Sequence, residues 1–408
     1  MERGAWRGAR RVLRSGLILI VAMFVTGCAA TLPRNALPER LVDQAEPSGM
    51  DGVRIWGDAP AAEVRAIVER KLQQSGDASP ISRANAQPVS NMLAISGGAE
   101  DGAFGAGLLI GWTASGTRPE FDLVTGVSAG ALIAPFAFLG PRYDPQLKAM
   151  FTRYGRDDIL TVNLLEGIFG GPALADSAPL ARLIAHYVDE RFLREIARER
   201  RKGRILLIGT TNLDAQRSVL WDMGRIAMSG HPQALPLFRK ILLASASVPG
   251  LFPPVRIQVR ADDQDYDEMH VDGGVTRQVF LAPTALAFKD LDRAVGRHVT
   301  RRLYILRNGK ITPEWQPVDN KVYSTAGRSI STLIKNQSIG DLYRIHSMTA
   351  RDGIDFNLAT IPPAFNVKSA EPFDLRYMRA LYSVGFDLGR AGYRWTKAPP
   401  GLSVDAHN

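Results

Sequence analysis

Cysteine is almost absent from this chain: Cys28 is the only one among 408 residues. That excludes an intrachain disulfide and any cysteine-built metal site. No apolar stretch approaches the length of a membrane-spanning helix. The run Gly16–Val25 offers ten residues, about half of the roughly twenty that a bilayer requires. Histidine is sparse as well, with six in all, and none follows a late strand in the loop where an α/β-hydrolase keeps its base. His186, His231, His298, His346 and His407 read as surface or locally satisfied side chains. His270 stands apart because it lies two residues before Asp272. The excess of positive charge is small. The chain carries +9, and the first 27 residues account for five arginines and one glutamate, leaving +5 for the remainder. Such a balance suits approach to an anionic membrane surface and is no nucleic-acid footprint. Acidic residues gather at Asp262–Glu268, but an EF-hand loop from Asp263 needs glycine sixth and glutamate twelfth. Those positions hold Glu268 and Gly274, so a solvated hairpin loop is expected, without a metal or cofactor.

What the chain does have is concentrated between Asn91 and Ala137. Two strand–turn–helix units follow one another there. The first leads from an apolar strand, Met92–Ile95, through Gly97, Gly98 and Gly102 into a small-residue helix from about Ala103. The second leads from Phe121–Thr125 through Gly126-Val127-Ser128-Ala129-Gly130 into an apolar helix. Gly-x-Ser-x-Gly between a strand and a helix is a nucleophile elbow. A Cβ at Gly126 or Gly130 would collide as the turn brings backbones together. Ser128 is thus placed at a helix N-terminus, where unpaired N–H groups favour negative charge. The first turn is not a dinucleotide fingerprint, because Ala99 occupies its second glycine and Glu100-Asp101 would repel a pyrophosphate. It reads as an oxyanion hole formed by backbone N–H groups around Gly97, Gly98 and Ala99. Asp101 stands where it can cap the helix behind it.

A serine nucleophile needs a base. Met269-His270-Val271-Asp272-Gly273-Gly274 presents a carboxylate at a strand end beside an open backbone. Asp214, after the apolar strand Arg204–Thr211, is the competing aspartate. His270 is the competing base of another kind, for an esterase with a histidine. Four motifs in order are the oxyanion stretch Gly97–Gly102, the elbow, Ala244–Pro249 followed by Phe252-Pro253-Pro254, and Asp272-Gly273-Gly274. Over roughly Asn91–Asn308 the chain resembles the patatin-like phospholipase family. The resemblance implies a Ser–Asp dyad in which Ser128 is the nucleophile and Asp272 the general base. It also implies a three-layer α/β/α fold with a mainly parallel central sheet. The sequence departs from the family's Gly-Gly-Gly-x-Arg/Lys-Gly at Ala99 and Asp101. Backbone donors survive that change; a positive charge does not.

The ends carry other signals. Arg3, Arg7, Arg10, Arg11 and Arg14 precede the apolar run, which reads as a signal peptide over 1–27. Val25-Thr26-Gly27-Cys28 looks like a bacterial lipobox, with Cys28 lipidated after cleavage. Acyl chains on Cys28 would hold the protein on a membrane of the cell envelope, and Ala29 after the cysteine suits the outer one. Residues 28–88 read as a tether with a docking helix at Ala61–Gln74, 89–310 as the catalytic domain, and 311–408 as a C-terminal helical extension packed on it. The Gly-rich apolar run Leu164–Gly171 is a buried turn or a lid over an acyl pocket. The function expected is hydrolysis of acyl esters of membrane phospholipids or lysophospholipids. A non-catalytic lipid- or partner-binding lipoprotein and a general esterase or acyltransferase are the alternatives.

Overall fold

The computed structural model describes residues 34–66, 88–162, 173–294, 296 and 298–402. The signal segment, Cys28, the stretch 67–87 and the whole Leu164–Gly171 run lie outside the described residues. Its strands in chain order are β1 Arg54–Trp56, β2 Val89–Ile95, β3 Leu123–Gly126, β4 Thr161–Val162, β5 Ala175–Asp176, β6 Ile205–Asn212, β7 Arg217–Asp222, β8 Val255–Ala261, β9 Gln264–Asp272, β10 Thr300–Arg307 and β11 Asp355–Thr360. Nine of them make one sheet in the order β1-β7-β6-β3-β2-β10-β11, with β9 on β6 and β8 on β9. The five strands from β6 to β11 along this order run parallel, and β7 and β1 continue the sheet antiparallel.

The alternation of side chains along β2 separates the two outer layers. Leu93 and Ile95 enter a core with Phe104 and Leu108 of the helix Gly102–Ala114, Ile133 of the helix Ala129–Leu139 and Leu381 of the helix Leu375–Arg390. Met92 and Ala94 point the other way, with Leu303 and Ile305 of β10 and with Leu342 and Ile345 of the long helix Val322–Asp352. Both faces of the central strands are therefore covered, which is why they read as continuous apolar runs. The architecture is the expected three-layer α/β/α arrangement.

Two expectations need correction. The segment assigned to a tether is in part structural: Leu41, Met50, Val53 and Trp56 are buried, and β1 extends the sheet on β7. Its sequence is rich in turn formers, and burial comes from single apolar residues too scattered to show a period. The acidic loop is shorter than expected. Only Asp262 and Asp263 turn, at φ 49° and 59°, and the residues from Gln264 onward are already in β9. Glu268, read as solvated, is buried. In the C-terminal part β11 adds a parallel strand to β10. Its last helix lies on the helix Gly102–Ala114 at glycine-to-backbone distance: a Cβ at Gly111 would stand 2.0 Å from the Phe386 carbonyl oxygen.

Candidate active site

β3 and β9 use the same edge of β6 in succession. β3 pairs with β6 up to Gly126 opposite Ile208, and β9 pairs from Asp272 opposite Thr210 onward. The chain leaving β3 turns at Ser128, and β9 arrives from the opposite direction and ends at Asp272. Two segments 144 positions apart thus meet at the carboxyl end of the sheet, where α/β folds place their sites.

Ser128 sits at φ 55°, ψ −125°, a conformation that costs an L-residue on the order of 1–3 kcal/mol and that surrounding structure must enforce. The close packing of the turn does so. A Cβ at Gly126 would lie 2.4 Å from the Gly130 carbonyl oxygen, and one at Gly130 would lie 2.3 Å from that of Ile95. The Ser128 amide donates to Ser245 Oγ at 3.0 Å, and that hydroxyl donates to the Gly209 carbonyl at 2.7 Å. Ser247 holds the other partner, its carbonyl accepting the Asp272 amide at 2.9 Å. The Ala244–Val248 stretch therefore pins both residues.

Asp272 is buried, and its Oδ1 accepts the Gly274 amide at 2.6 Å. Oδ2 is buried with no hydrogen-bond partner among the described residues. Burial pushes the carboxyl up to about 7, opposed by the nearby Ser128 hydroxyl and the Gly274 amide. The hydroxyl is close enough to favour the charged form without meeting hydrogen-bond geometry at Oδ2, as is common before a substrate tightens a site.

In the glycine turn the Gly97 amide is already committed, donating to the Gln278 carbonyl at 3.0 Å. This corrects the expectation that Gly97 supplies an oxyanion donor. The amides of Gly98 and Ala99 have no acceptor among the described residues. Both residues have positive φ, 151° and 47°. Asn308, at the end of β10, grips the turn from behind: its Nδ2 donates to the Ser96 carbonyl at 2.9 Å and its Oδ1 accepts the Gly105 amide at 3.0 Å. Ala99 occupies a left-handed conformation that glycine adopts freely and alanine at a cost of about 1 kcal/mol. Ala99→Gly is expected to relieve that strain. A thermal or urea unfolding curve should show it as a gain of about 1 kcal/mol, offset in part by glycine's larger unfolded-state entropy.

The acidic pair beside the turn is held by the C-terminal segment. The Phe373 amide donates to Glu100, and the Tyr377 hydroxyl donates to Asp101 Oδ1 at 2.5 Å. Asp101, although it stands at the N-cap of the helix behind it, makes no side-chain cap there. Burial pushes its carboxyl up to about 7, with the Tyr377 hydroxyl acting against that.

Gly97, Gly98, Ala99, Ser128, Asp272 and Gly274 all line one cavity of about 960 Å³. It is lined as well by the stretch of the long helix from Arg328 to Ile339 and by Pro249, Gln278 and Arg307. A cleft of this size accommodates a lipid-sized ligand. The competing bases are elsewhere. His270 is fully buried between Thr210 Oγ1 at 3.0 Å and Glu268 Oε2 at 3.1 Å, and it does not line the cavity. Asp214 is paired with Arg34 at the surface and accepts the Met269 amide. Sequence reading missed Ser245 as a support, Gln278, Arg307, Asn308 and Tyr377. Ser245 belonged to a motif already singled out; the other four carry no local signal.

Residues 93–285 match the family model of the patatin-like phospholipases. Among solved structures, the crystal structure of VipD from Legionella pneumophila is similar with a TM-score of 0.36 and 12% identity, covering 76% of this chain and 68% of that one. No curated protein matches.

Proposed function

We infer that this chain, whose residues 93–285 match the family model of the patatin-like phospholipases, is a lipid acyl hydrolase that cleaves membrane phospholipids or lysophospholipids through Ser128 and Asp272. The observation that carries this reading is the buried, partner-free Oδ2 of Asp272 in the same cavity as the strained Ser128. Ser128 Oγ attacks the ester carbonyl while its proton passes to Asp272 Oδ2. A carboxyl raised to about 7 takes that proton more readily than an ordinary aspartate near 4. The oxyanion of the tetrahedral intermediate is met by the amides of Gly98 and Ala99. Collapse breaks the ester bond, and the departing alcohol takes the proton from Asp272. Water then attacks the acyl-serine with Asp272 again as base, releasing the fatty acid. A fluorophosphonate probe should label the wild-type chain at Ser128, and product analysis on phospholipid vesicles should find free fatty acid. A chain that folds, binds lipid and takes no label would instead be a lipid-binding lipoprotein.

Action at a membrane surface has its own support. Leu333, 69% exposed, and the exposed Ile330 line the cavity from the long helix; Trp315, 87% exposed, follows the lining residues Pro313 and Glu314, and Val322, 88% exposed, begins that helix. Lys310, Arg328 and Lys335 also line the cavity. Such a surface buries its aromatic and aliphatic side chains at a headgroup boundary while the cations meet anionic lipid. Trp315→Asp and Val322→Asp lie outside the cavity lining. Each should weaken vesicle sedimentation about ten-fold and leave hydrolysis of a monomeric soluble ester unaffected. Equal vesicle binding by these variants would refute the surface. Cys28 would add a covalent anchor, and Cys28→Ser should abolish incorporation of labelled palmitate in cells; unchanged labelling would sink that assignment.

A further inference from the structure

Arg307 ends β10, which pairs with β2 so that Leu306 lies opposite Ile95. Its side chain is therefore on the rim that carries the oxyanion turn, and it lines the cavity with Ser128 and Asp272. It is only 4% exposed. Nε donates to Ser338 Oγ at 2.9 Å and Nη1 to the Lys310 carbonyl at 2.5 Å, both neutral acceptors. Nη2 has no acceptor, and no carboxylate lies within 4.0 Å of the guanidinium, among the described residues. The two acids nearest in effect are committed elsewhere: Asp101 to the Tyr377 hydroxyl, and Glu314 to Lys335 at 3.0 Å. Burial lowers the guanidinium to about 10, so it stays charged at neutral pH. A buried cation with no counter-ion is a costly arrangement that an arriving anion would relieve.

We propose that Arg307 is a phosphate subsite, holding the phosphodiester of a glycerophospholipid while an acyl ester of the same molecule lies against Ser128. The proposal rests on the hydrolase reading above and narrows it to phosphate-bearing lipids over neutral glycerides. The planar guanidinium suits two phosphate oxygens, and in a glycerophospholipid the phosphate is only a few bonds from the ester carbonyls. Lys310, Arg328 and Lys335 extend positive charge to the mouth of the same cavity.

The test has a binding arm and a kinetic arm. In Ser128→Ala protein, calorimetry should find dodecyl phosphate bound about ten- to hundred-fold more tightly than in Ser128→Ala/Arg307→Gln, the range for losing a charge-assisted hydrogen bond. Arg307→Lys, which keeps the charge and loses the fork, should fall between them and serves if the glutamine variant does not fold. Equal binding by all three would overturn the subsite. Inorganic phosphate bound as tightly as dodecyl phosphate would also overturn it, by making the site one for a free anion. In otherwise wild-type enzyme, the ratio of KM on a phospholipid to KM on a phosphate-free ester of the same chain should rise about ten-fold or more in Arg307→Gln. A parallel loss on both substrates would mark Arg307 as structural. Arg307-dependent binding without any hydrolysis would leave the subsite standing and the hydrolase reading refuted. Ser128-dependent hydrolysis indifferent to Arg307 would do the reverse.

Discussion

Ser128→Ala and Asp272→Asn are each expected to remove nearly all ester hydrolysis, with the double variant little worse than either. Groups that act as one unit are not additive, so the second loss finds almost nothing left to remove. The expected pH profile follows from Asp272. The base must be deprotonated, and burial pushes its carboxyl up to about 7, so kcat/KM should fall as pH drops below about 7. The same burial makes a stability prediction of definite sign. In the unfolded chain the carboxyl titrates near 3.8, so the folded form holds its proton more tightly. That contribution is fully present below the unfolded value and is lost as pH rises through about 7. Asp272→Asn, free of the buried charge, should be the more stable protein at pH 8 by up to about 4 kcal/mol, with the difference shrinking toward pH 4. An inactive variant equal to the wild type in stability at pH 8 would mean that Asp272 is not desolvated in solution. An Asp272→Asn enzyme that keeps its rate would remove Asp272 from the base role altogether.

Glu268→Gln is expected to cost about 3–5 kcal/mol of stability, measured by urea unfolding. Arg54 and Glu268 are both buried, joined by Nη1–Oε2 at 2.5 Å and Nη2–Oε1 at 3.1 Å. Removing the carboxylate leaves the Arg54 cation in the interior with the Ala45 carbonyl and, at 3.8 Å, Glu46, whose own carboxyl is pushed up to about 7 by burial. Replacing both partners, as Arg54→Met with Glu268→Leu, should recover much of the loss because neither member of the pair is left as an uncompensated buried charge. The same network settles the state of His270. The Trp221 indole N–H donates to Thr210 Oγ1 at 2.8 Å, so the threonine proton is directed to His270 Nδ1. Nε2–H then donates to Glu268, and burial keeps the imidazole below its usual pKa and neutral. His270→Gln should therefore cost stability and leave hydrolysis by the folded fraction in place. If it were as damaging to the rate as Asp272→Asn, a histidine base would be the correct mechanism.

The long apolar strands and the glycine turns that follow them were legible in the sequence because their causes are local. β2, β3, β6, β10 and the helices behind them are written in runs of apolar residues whose length and flanking glycines decide the element. Gly126 and Gly130 announce the elbow for the same reason: a tight turn excludes a Cβ wherever the rest of the chain goes. The order of motifs then implied a sheet with Ser128 and Asp272 at strand ends. β1 and the burial of Leu41, Met50 and Trp56 left no such trace, since scattered apolar residues among turn formers acquire meaning only against β7 and its neighbours. Glu268 could not be told from its solvated neighbours, because its partner Arg54 is 214 positions away. The same holds for the fate of the Gly97 amide, the grip of Asn308 on the glycine turn and the lack of a carboxylate beside Arg307 among the described residues. Local conformation follows from a residue and its near neighbours, whereas burial, hydrogen-bond partners and the charge around a group depend on segments that folding alone brings together.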